Sequence, residues 1–391
     1  METQTAETAD NKKKPGFFAL YGSLFVGVLL AVLIAALALP DRAYSEKEKK
    51  YLNTFPALTA DSLFDGSFTS GVEDYSADQF PGRDGLMNLK VTLCRFLGMQ
   101  ESNGVYYGKN GRLMERFDEP DEELFERTVQ SVNDFAARHE DLNVYFLLAP
   151  SAAVLYPEEL PLNAVNADQN AYINRFSERI SENVTPVDVR FSLTEAKAAG
   201  TDLYYHSDHH WTTDGAKAAY YAAAETMGFP ENEFERQVVS DNFLGALYTK
   251  SGFSIPSKDS IVIYRPEDET LQYYLRNEES GETRASLYYG ESLPGADPYE
   301  VFFGGNYPSL TIESTADADR TLLVVKDSYA NSFIPFLLGD YRKITIIDPR
   351  YYSKQLDVLF YLEEYDDVLF LYNAPTLSKD RNLYKVLESL Q

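Results

Sequence analysis

Five short stretches, 143–149, 184–189, 321–325, 343–348 and 367–372, are apolar along most of their length rather than at every second residue. A strand that reads this way has no face to offer water. The architecture that buries both faces is a parallel sheet covered by helices. Stretches with helical spacing lie between several of these runs, at 168–182, 214–227 and 329–338. That alternation predicts a three-layer α/β domain with a mostly parallel sheet. Residues 230–315 break the rhythm with tyrosine-rich strand patterns and turns at Ser251-Gly252, Glu279-Ser280-Gly281 and Gly304-Gly305. They are read as a β-rich insertion within that domain, which as a whole is assigned to 101–391.

Upstream, residues 41–100 read as a stalk and N-terminal helical segment. Glu46 to Lys50 form a solvated charge run, a turn follows at 78–84, and an apolar-periodic helix covers 86–97. A glycine-punctuated hairpin then spans 104–108 with its turn at 109–111, and a helix is expected over 120–139, opened by Asp121, Glu122 and Glu123. Residues 16–40 carry no charge and are dominated by Leu, Val, Ala and Phe, the length needed to cross a bilayer as a helix. Lys12, Lys13 and Lys14 precede this stretch, so the positive-inside rule places residues 1–15 in the cytoplasm and everything after 40 outside. A cleaved signal peptide is the competing reading, since Ala35-Ala36-Leu37-Ala38 supplies small residues near the end. The length of the apolar stretch favours a single-pass anchor. Either reading makes the chemistry extracytoplasmic, away from ATP and acetyl-CoA.

A formal net charge of -26 argues against nucleic acid or anionic lipid as a partner, because both demand a basic face. One cysteine, Cys94, rules out an internal disulfide and a thiolate metal cluster.

Three of the four histidines and the only tryptophan fall within His206-Ser207-Asp208-His209-His210-Trp211. Histidine exchanges protons near neutral pH and is the commonest metal ligand, so this is where a chemical site is expected. In an extended loop Asp208 and His210 face the same way and His209 faces the other. Such a pair is a carboxylate orienting an imidazole, the base half of a Ser-His-Asp arrangement. The nucleophile candidate is Ser328, where the strand 321–325 runs through Lys326-Asp327 into a helical stretch. A serine there is exposed, and the helix N-terminus brings backbone N–H groups to an oxyanion; the bland alternative is that Ser328 caps the helix. Trp211 packs beside the site or simply fills the core. A metal is the rival chemistry, since His206, Asp208, His209 and His210 are all ligand types. Adjacent His209 and His210 diverge in an extended chain, however, and only His139 lies elsewhere, so neither metal nor cofactor is expected.

Asp208-His209-His210-Trp211 is the signature of the bacterial DHHW family, and the chain resembles that family also at 78–84, 302–306, 326–329 and 348–352. It is similar, further, to the SGNH-hydrolase-like alginate O-acetylation proteins, which carry an Asp-x-His-Trp motif ahead of a strand ending in a nucleophilic serine followed by tyrosine. Carried over by position, the resemblance implies that Asp208 orients, His210 is the base and Ser328 is the nucleophile. The order, with serine last, suggests the permuted topology of the alginate group. The chain departs from ordinary SGNH enzymes in having no Gly-Asp-Ser block; Lys326 stands two residues before Ser328. Asn306 and Asn331 are the oxyanion candidates, with Tyr329 and Arg350 beside them as substrate-binding candidates. Arg350 reads equally as an ion pair, and Ala149-Pro150-Ser151 at a strand end is a candidate cleft wall.

The expected function is that of an extracytoplasmic O-acyltransferase moving acetyl groups onto a cell-envelope or secreted polysaccharide through an acyl-serine. The resemblance implies a membrane-bound O-acyltransferase as the partner that donates the acyl group. Two alternatives share the fold: a carbohydrate acetyl esterase, and a non-catalytic glycan-binding scaffold of the envelope.

Overall fold

The computed structural model describes residues 17–45, 50–230, 232–352, 356 and 362–388. The expected cytoplasmic segment 1–15 and most of the charge run from Glu46 lie outside them. The chain divides into two compact units, Met1–Leu89 and Lys90–Gln391.

In the first unit, helix α1 (Phe17–Ala38) carries no acidic first turn and no basic last turn. Its stretch Phe18–Ala38 has a mean hydropathy of 2.5 and buries none of its surface, so it is long and apolar enough to span a bilayer. Short helices follow at Ala60–Phe64 and Ser67–Asp78, then the predicted turn, where Gly82 takes a positive φ of 74°. The helix expected over 86–97 runs over Arg83–Phe96.

The second unit is built on an eight-stranded sheet. Its strands are β1 (Asn143–Ala149), β2 (Val184–Val187), β3 (Tyr273–Asn277), β4 (Thr283–Arg284), β5 (Ser309–Ser314), β6 (Thr321–Lys326), β7 (Lys343–Ile347) and β8 (Asp367–Asn373). Their spatial order is β4-β3-β5-β7-β6-β8-β1-β2. Neighbours from β7 to β2 pair in parallel, and β5, β3 and β4 continue the sheet antiparallel. The β-rich segment therefore does two things. Phe234–Phe243 and Asp259–Pro266 form a separate antiparallel hairpin, while the strands at 273–314 extend the main sheet.

The unalternating runs do bury both faces. Along β6, Leu322 and Val324 join one hydrophobic cluster, and Leu323 and Val325 join the other. Helix α2 (Glu122–Arg138) and helix α3 (Gln169–Arg179) cover one face, each started by an aspartate, Asp121 or Asp168, that accepts from a first-turn amide. Helix α4 (Thr213–Met227) covers the other, capped by Thr212 accepting from the Gly215 amide at 3.1 Å and ended by Gly228 in the left-handed region. One run departs from expectation. The stretch 184–189 is an edge strand of four residues in which Thr185 and Pro186 are exposed. Pro186 has no N–H to give a further strand, so the sheet stops there.

Leu323 is wholly buried in a strand with neighbours on both sides. Leu323→Ala is expected to destabilise by about 2–5 kcal/mol. Thr185→Ala on the exposed edge is expected to stay within about 0.5 kcal/mol of the parent. Denaturant unfolding of the two variants checks the contrast.

Candidate active site

The histidine-bearing segment is a closed loop, not an extended one. Its ends are zipped together by an antiparallel bridge between Tyr204 and Trp211 and by the Thr212 amide donating to the Leu203 carbonyl at 2.8 Å. Two buried groups pin it from below. Arg112 donates to Glu159 (3.0 Å), to Asp202 (2.8 Å) and to the Tyr204 carbonyl. Asp259 accepts from the amides of His206 (2.9 Å) and Ser207 (2.8 Å) and from the Ser207 hydroxyl. A loop held this firmly presents its side chains in one geometry.

That geometry brings three predicted residues together. Asp208 Oδ1 lies 2.6 Å from His210 Nδ1, and His210 Nε2 lies 2.8 Å from Ser328 Oγ. The serine sits just past β6, and its hydroxyl does not cap helix α5 (Ala330–Phe333), whose first turn has no side-chain cap. Asp208 accepts in addition from the His210 amide (2.9 Å) and, through Oδ2, from the Ala246 amide (2.6 Å). The preceding Gly245 makes that approach possible, because a Cβ there would stand 2.2 Å from the Asp208 Cβ. Helix α5 is shorter than the 329–338 stretch suggested and passes into a 3-10 turn at Ile334–Leu337. The amides of Tyr329, Ala330 and Asn331 are taken by Asp327 and by the Ser328 carbonyl.

All three side chains are buried, and electrostatics sets their ionisation. Burial would raise Asp208, but the neighbouring His209 and His210 and the bonds from His210 hold it well below the carboxylate range. Burial and His209 push the His210 imidazole down to about 4, against the pull of Asp208. At neutral pH His210 is therefore an uncharged imidazole whose Nδ1–H faces a carboxylate and whose Nε2 is free to accept from Ser328. Beside the serine, burial pushes the Asp327 carboxyl up to about 6, although it accepts from the amides of Asn373 and Tyr329.

The remaining candidates fall into different places. Trp211 is wholly buried; its indole donates to the Tyr329 carbonyl and the Ser332 hydroxyl, each at 3.0 Å, so it is a core residue that braces the site. Tyr329 donates its hydroxyl to the His209 carbonyl. Asn306, Asn331 and Arg350 gather around Lys326 and Asp348, and Arg350 binds Asp348 with both ends of its guanidinium, at 2.8 and 2.6 Å. Ser151 lines a cleft of about 260 Å³ with Leu113, His209, Leu247, Tyr329 and Asn373. The expectation that His209 and His210 diverge fails: the loop is bent, and their rings sit 3.9 Å apart. Asp208, His209 and His210 thus offer ligand atoms within 4.8 Å of one another, although Asp208 Oδ1 and both His210 nitrogens are engaged in the chain described above.

Tyr299 is the residue sequence reasoning missed. Its ring stacks on His210 at 4.0 Å and 10°, and its hydroxyl donates to the Ser328 carbonyl at 3.2 Å. It comes from an irregular stretch with no periodic signal, so only the fold reveals that it touches both base and nucleophile.

Residues 111–245 match the SGNH hydrolase-like domain of the acetyltransferase AlgX, and residues 48–138 match the DHHW protein model. A Pseudomonas fluorescens protein named "Probable alginate O-acetylase AlgJ" is 22% identical over 272 residues, which are 67% of this chain and 65% of that relative. The match thus spans a little less than two thirds of the relative's own length. Among solved structures, a DHHW family protein from Eubacterium siraeum superposes with a TM-score of 0.62 at 22% identity, covering 73% of this chain and 99% of that one. PatB1 of Bacillus cereus, solved with a sulfonyl adduct, superposes at 0.59 and 21% identity over 72% of this chain and 97% of its own. The chain therefore has the SGNH-like α/β fold and resembles both the DHHW proteins and the alginate O-acetylation group.

The burial of His210 predicts an NMR titration midpoint near 4 rather than 6.5. Asp208→Asn is expected to move it further down, because the carboxylate favours the charged ring. Between about 4 and 6.5 the unfolded chain binds more protons at this histidine, so its contribution to stability falls as pH falls through that window. Asp327 has the opposite sign between about 4 and 6. The effect of His210 is therefore read as the difference between the parent and His210→Gln. A midpoint at or above 6.5 would contradict the burial argument.

Proposed function

We propose that this chain is an extracytoplasmic serine-dependent O-acyltransferase that moves acetyl groups onto hydroxyls of a cell-envelope or secreted polysaccharide. The observation that carries the reading is the unbroken chain Asp208–His210–Ser328, with links of 2.6 and 2.8 Å, at the C-terminal ends of parallel strands. The resemblance to an acetyltransferase domain and to a protein named an alginate O-acetylase supports the acyl group and the polysaccharide acceptor. An apolar N-terminal helix of spanning length supports a single-pass membrane protein with this unit outside. A membrane-bound O-acyltransferase is the donor partner such an arrangement requires, since activated acetyl is made in the cytoplasm.

In the first half-reaction Ser328 Oγ gives its proton to His210 Nε2 and attacks the acyl carbonyl. The bond to the donor's leaving group breaks, and that group takes the proton from His210. In the second, a sugar hydroxyl gives its proton to His210 and attacks the acyl-serine, and Ser328 departs as the leaving oxygen and recovers the proton. Asp208 stays ionised throughout and stabilises the imidazolium. Tyr299, stacked on the imidazole and bonded to the serine backbone, holds the two in register. With water as the acceptor the same steps make an acetyl esterase. A scaffold that only bound glycan would have no use for the three groups in contact.

The test uses the full chain in detergent with an activated acetyl ester, with and without a chelator. Intact mass should show acetyl on Ser328. Ser328→Ala and His210→Ala should lose turnover by about 10³-fold or more, with Asp208→Ala severely impaired. A sulfonyl fluoride should label Ser328 in the parent only. A folded parent with neither turnover nor adduct would defeat the acyl-serine reading in favour of the glycan-binding scaffold, and activity abolished by the chelator would point to a metal. Product analysis with an oligosaccharide present separates transfer from hydrolysis.

A further inference from the structure

An ammonium is buried two residues before the serine, and the acyl-transfer steps make no use of it. Lys326 ends β6 and is 2% exposed. Its Nζ reaches Asn331 Oδ1 at 2.7 Å, Asn306 Oδ1 at 3.1 Å and Asp348 Oδ2 at 3.2 Å. An ammonium has three N–H donors and no lone pair, and here three donors meet three oxygens. Wholly buried Asp348 supplies the balancing charge and is itself held by Arg350.

This decides which way Asn306 faces. The atom it turns to Lys326 must be its oxygen, and that same oxygen accepts from Asn331 Nδ2 at 3.1 Å and is approached by the Arg350 guanidinium at 3.5 Å. Rotating the amide by half a turn would set an N–H₂ group against an ammonium, an amide N–H₂ and a guanidinium. The opposite end, Asn306 Nδ2, points away from the cluster and has no protein acceptor among the described residues. Asn331 is different, because its oxygen is spent on Lys326 and its nitrogen on Asn306. Asn331 is buried, and Asn306 is only half-buried. Lys326 and Asn331 flank Ser328 at two residues before and three after, so the cluster belongs to the same turn as the serine.

We propose that Lys326 is a positioning residue that locks Asn306 in the one orientation leaving its Nδ2 as a donor to a substrate oxygen at Ser328. The inference rests on the acyl-serine reading. A buried ion pair with no such task would serve the fold alone, and the two roles separate by substitution.

Asn306→Asp keeps the shape and the oxygen that Lys326, Asn331 and Arg350 hold, and replaces only the free N–H₂. In the full chain assayed with the activated acetyl ester, its thermal midpoint should not fall. Its KM should stay within about twofold while kcat drops by about 10²-fold, the size of one donor lost to a developing charge. Lys326→Met should lower kcat similarly, and adding it to Asn306→Asp should cost little more, since both act through one amide. Parent-like kcat in Asn306→Asp, or full additivity of the two losses, would overturn the proposal. If Lys326→Met fails to fold, Asn306→Asp decides alone. A parent that neither turns over the ester nor takes a sulfonyl adduct fails the acyl-serine reading and the inference with it. A parent that does both while Asn306→Asp equals it defeats the inference only.

Discussion

Two loops from distant parts of the chain hold each other through reciprocal hydrogen bonds, and the geometry at Ser328 depends on that embrace. Trp211, from the histidine loop, donates to the carbonyl of Tyr329; Tyr329, from the serine turn, donates to the carbonyl of His209. Each aromatic ring is buried, so each donor would be orphaned if the other loop moved, at a cost of about 1–3 kcal/mol apiece. The 2.8 Å separation of His210 and Ser328 is thus enforced from both sides rather than by the attraction of the two polar groups themselves. Tyr299 adds a third clamp from the β-rich segment.

Beneath this surface lies an arrangement of charges that a hydrophobic core would not tolerate singly. Lys326, Asp327, Asp348 and Arg350 cluster around one strand end, and Asp348 is held below the usual carboxylate range by Lys326 and Arg350 despite burial that works to raise it. Buried pairs of this kind add little net stability, but they fix orientation, because each partner removed leaves a charge uncompensated. Arg112 plays the same part under the histidine loop, where its guanidinium ties two carboxylates and a backbone carbonyl.

What was legible in the residues follows from which forces are local. The unalternating runs at 321–325 and 367–372 announced strands buried on both faces, and Leu322, Leu323, Leu369 and Phe370 are distributed over the two clusters in that way. The caps Asp121, Asp168 and Thr212 were likewise readable, since a cap acts within three residues. The Asp208–His210 pair could be suspected from spacing, but its partner at 118 residues' distance needed the resemblance to suggest it. Thr185-Pro186 misled, because a strand's place at the edge is a property of the sheet and not of the strand. The rings of His209 and His210 misled for a related reason: the loop's bend is imposed by Asp259 and Arg112, which lie far off in sequence. Tyr299 and Lys326 gave no signal because their meaning lies entirely in what they touch.

The order of the strands carries a consequence for how the molecule comes into being. Strand β6, which delivers Ser328, lies between β7 and β8, both of which follow it in the chain, and β8 then pairs with β1, whose residues lie 224 positions earlier. Closing loops of that length costs entropy that later contacts must recover, so such pairings form late and slowly. Serine and histidine therefore meet only after residue 373 has taken its place beside Ala149. A growing chain that already contains both groups remains inert until its last strand is laid down, and a truncation anywhere before that strand removes the reactive centre along with the middle of the sheet.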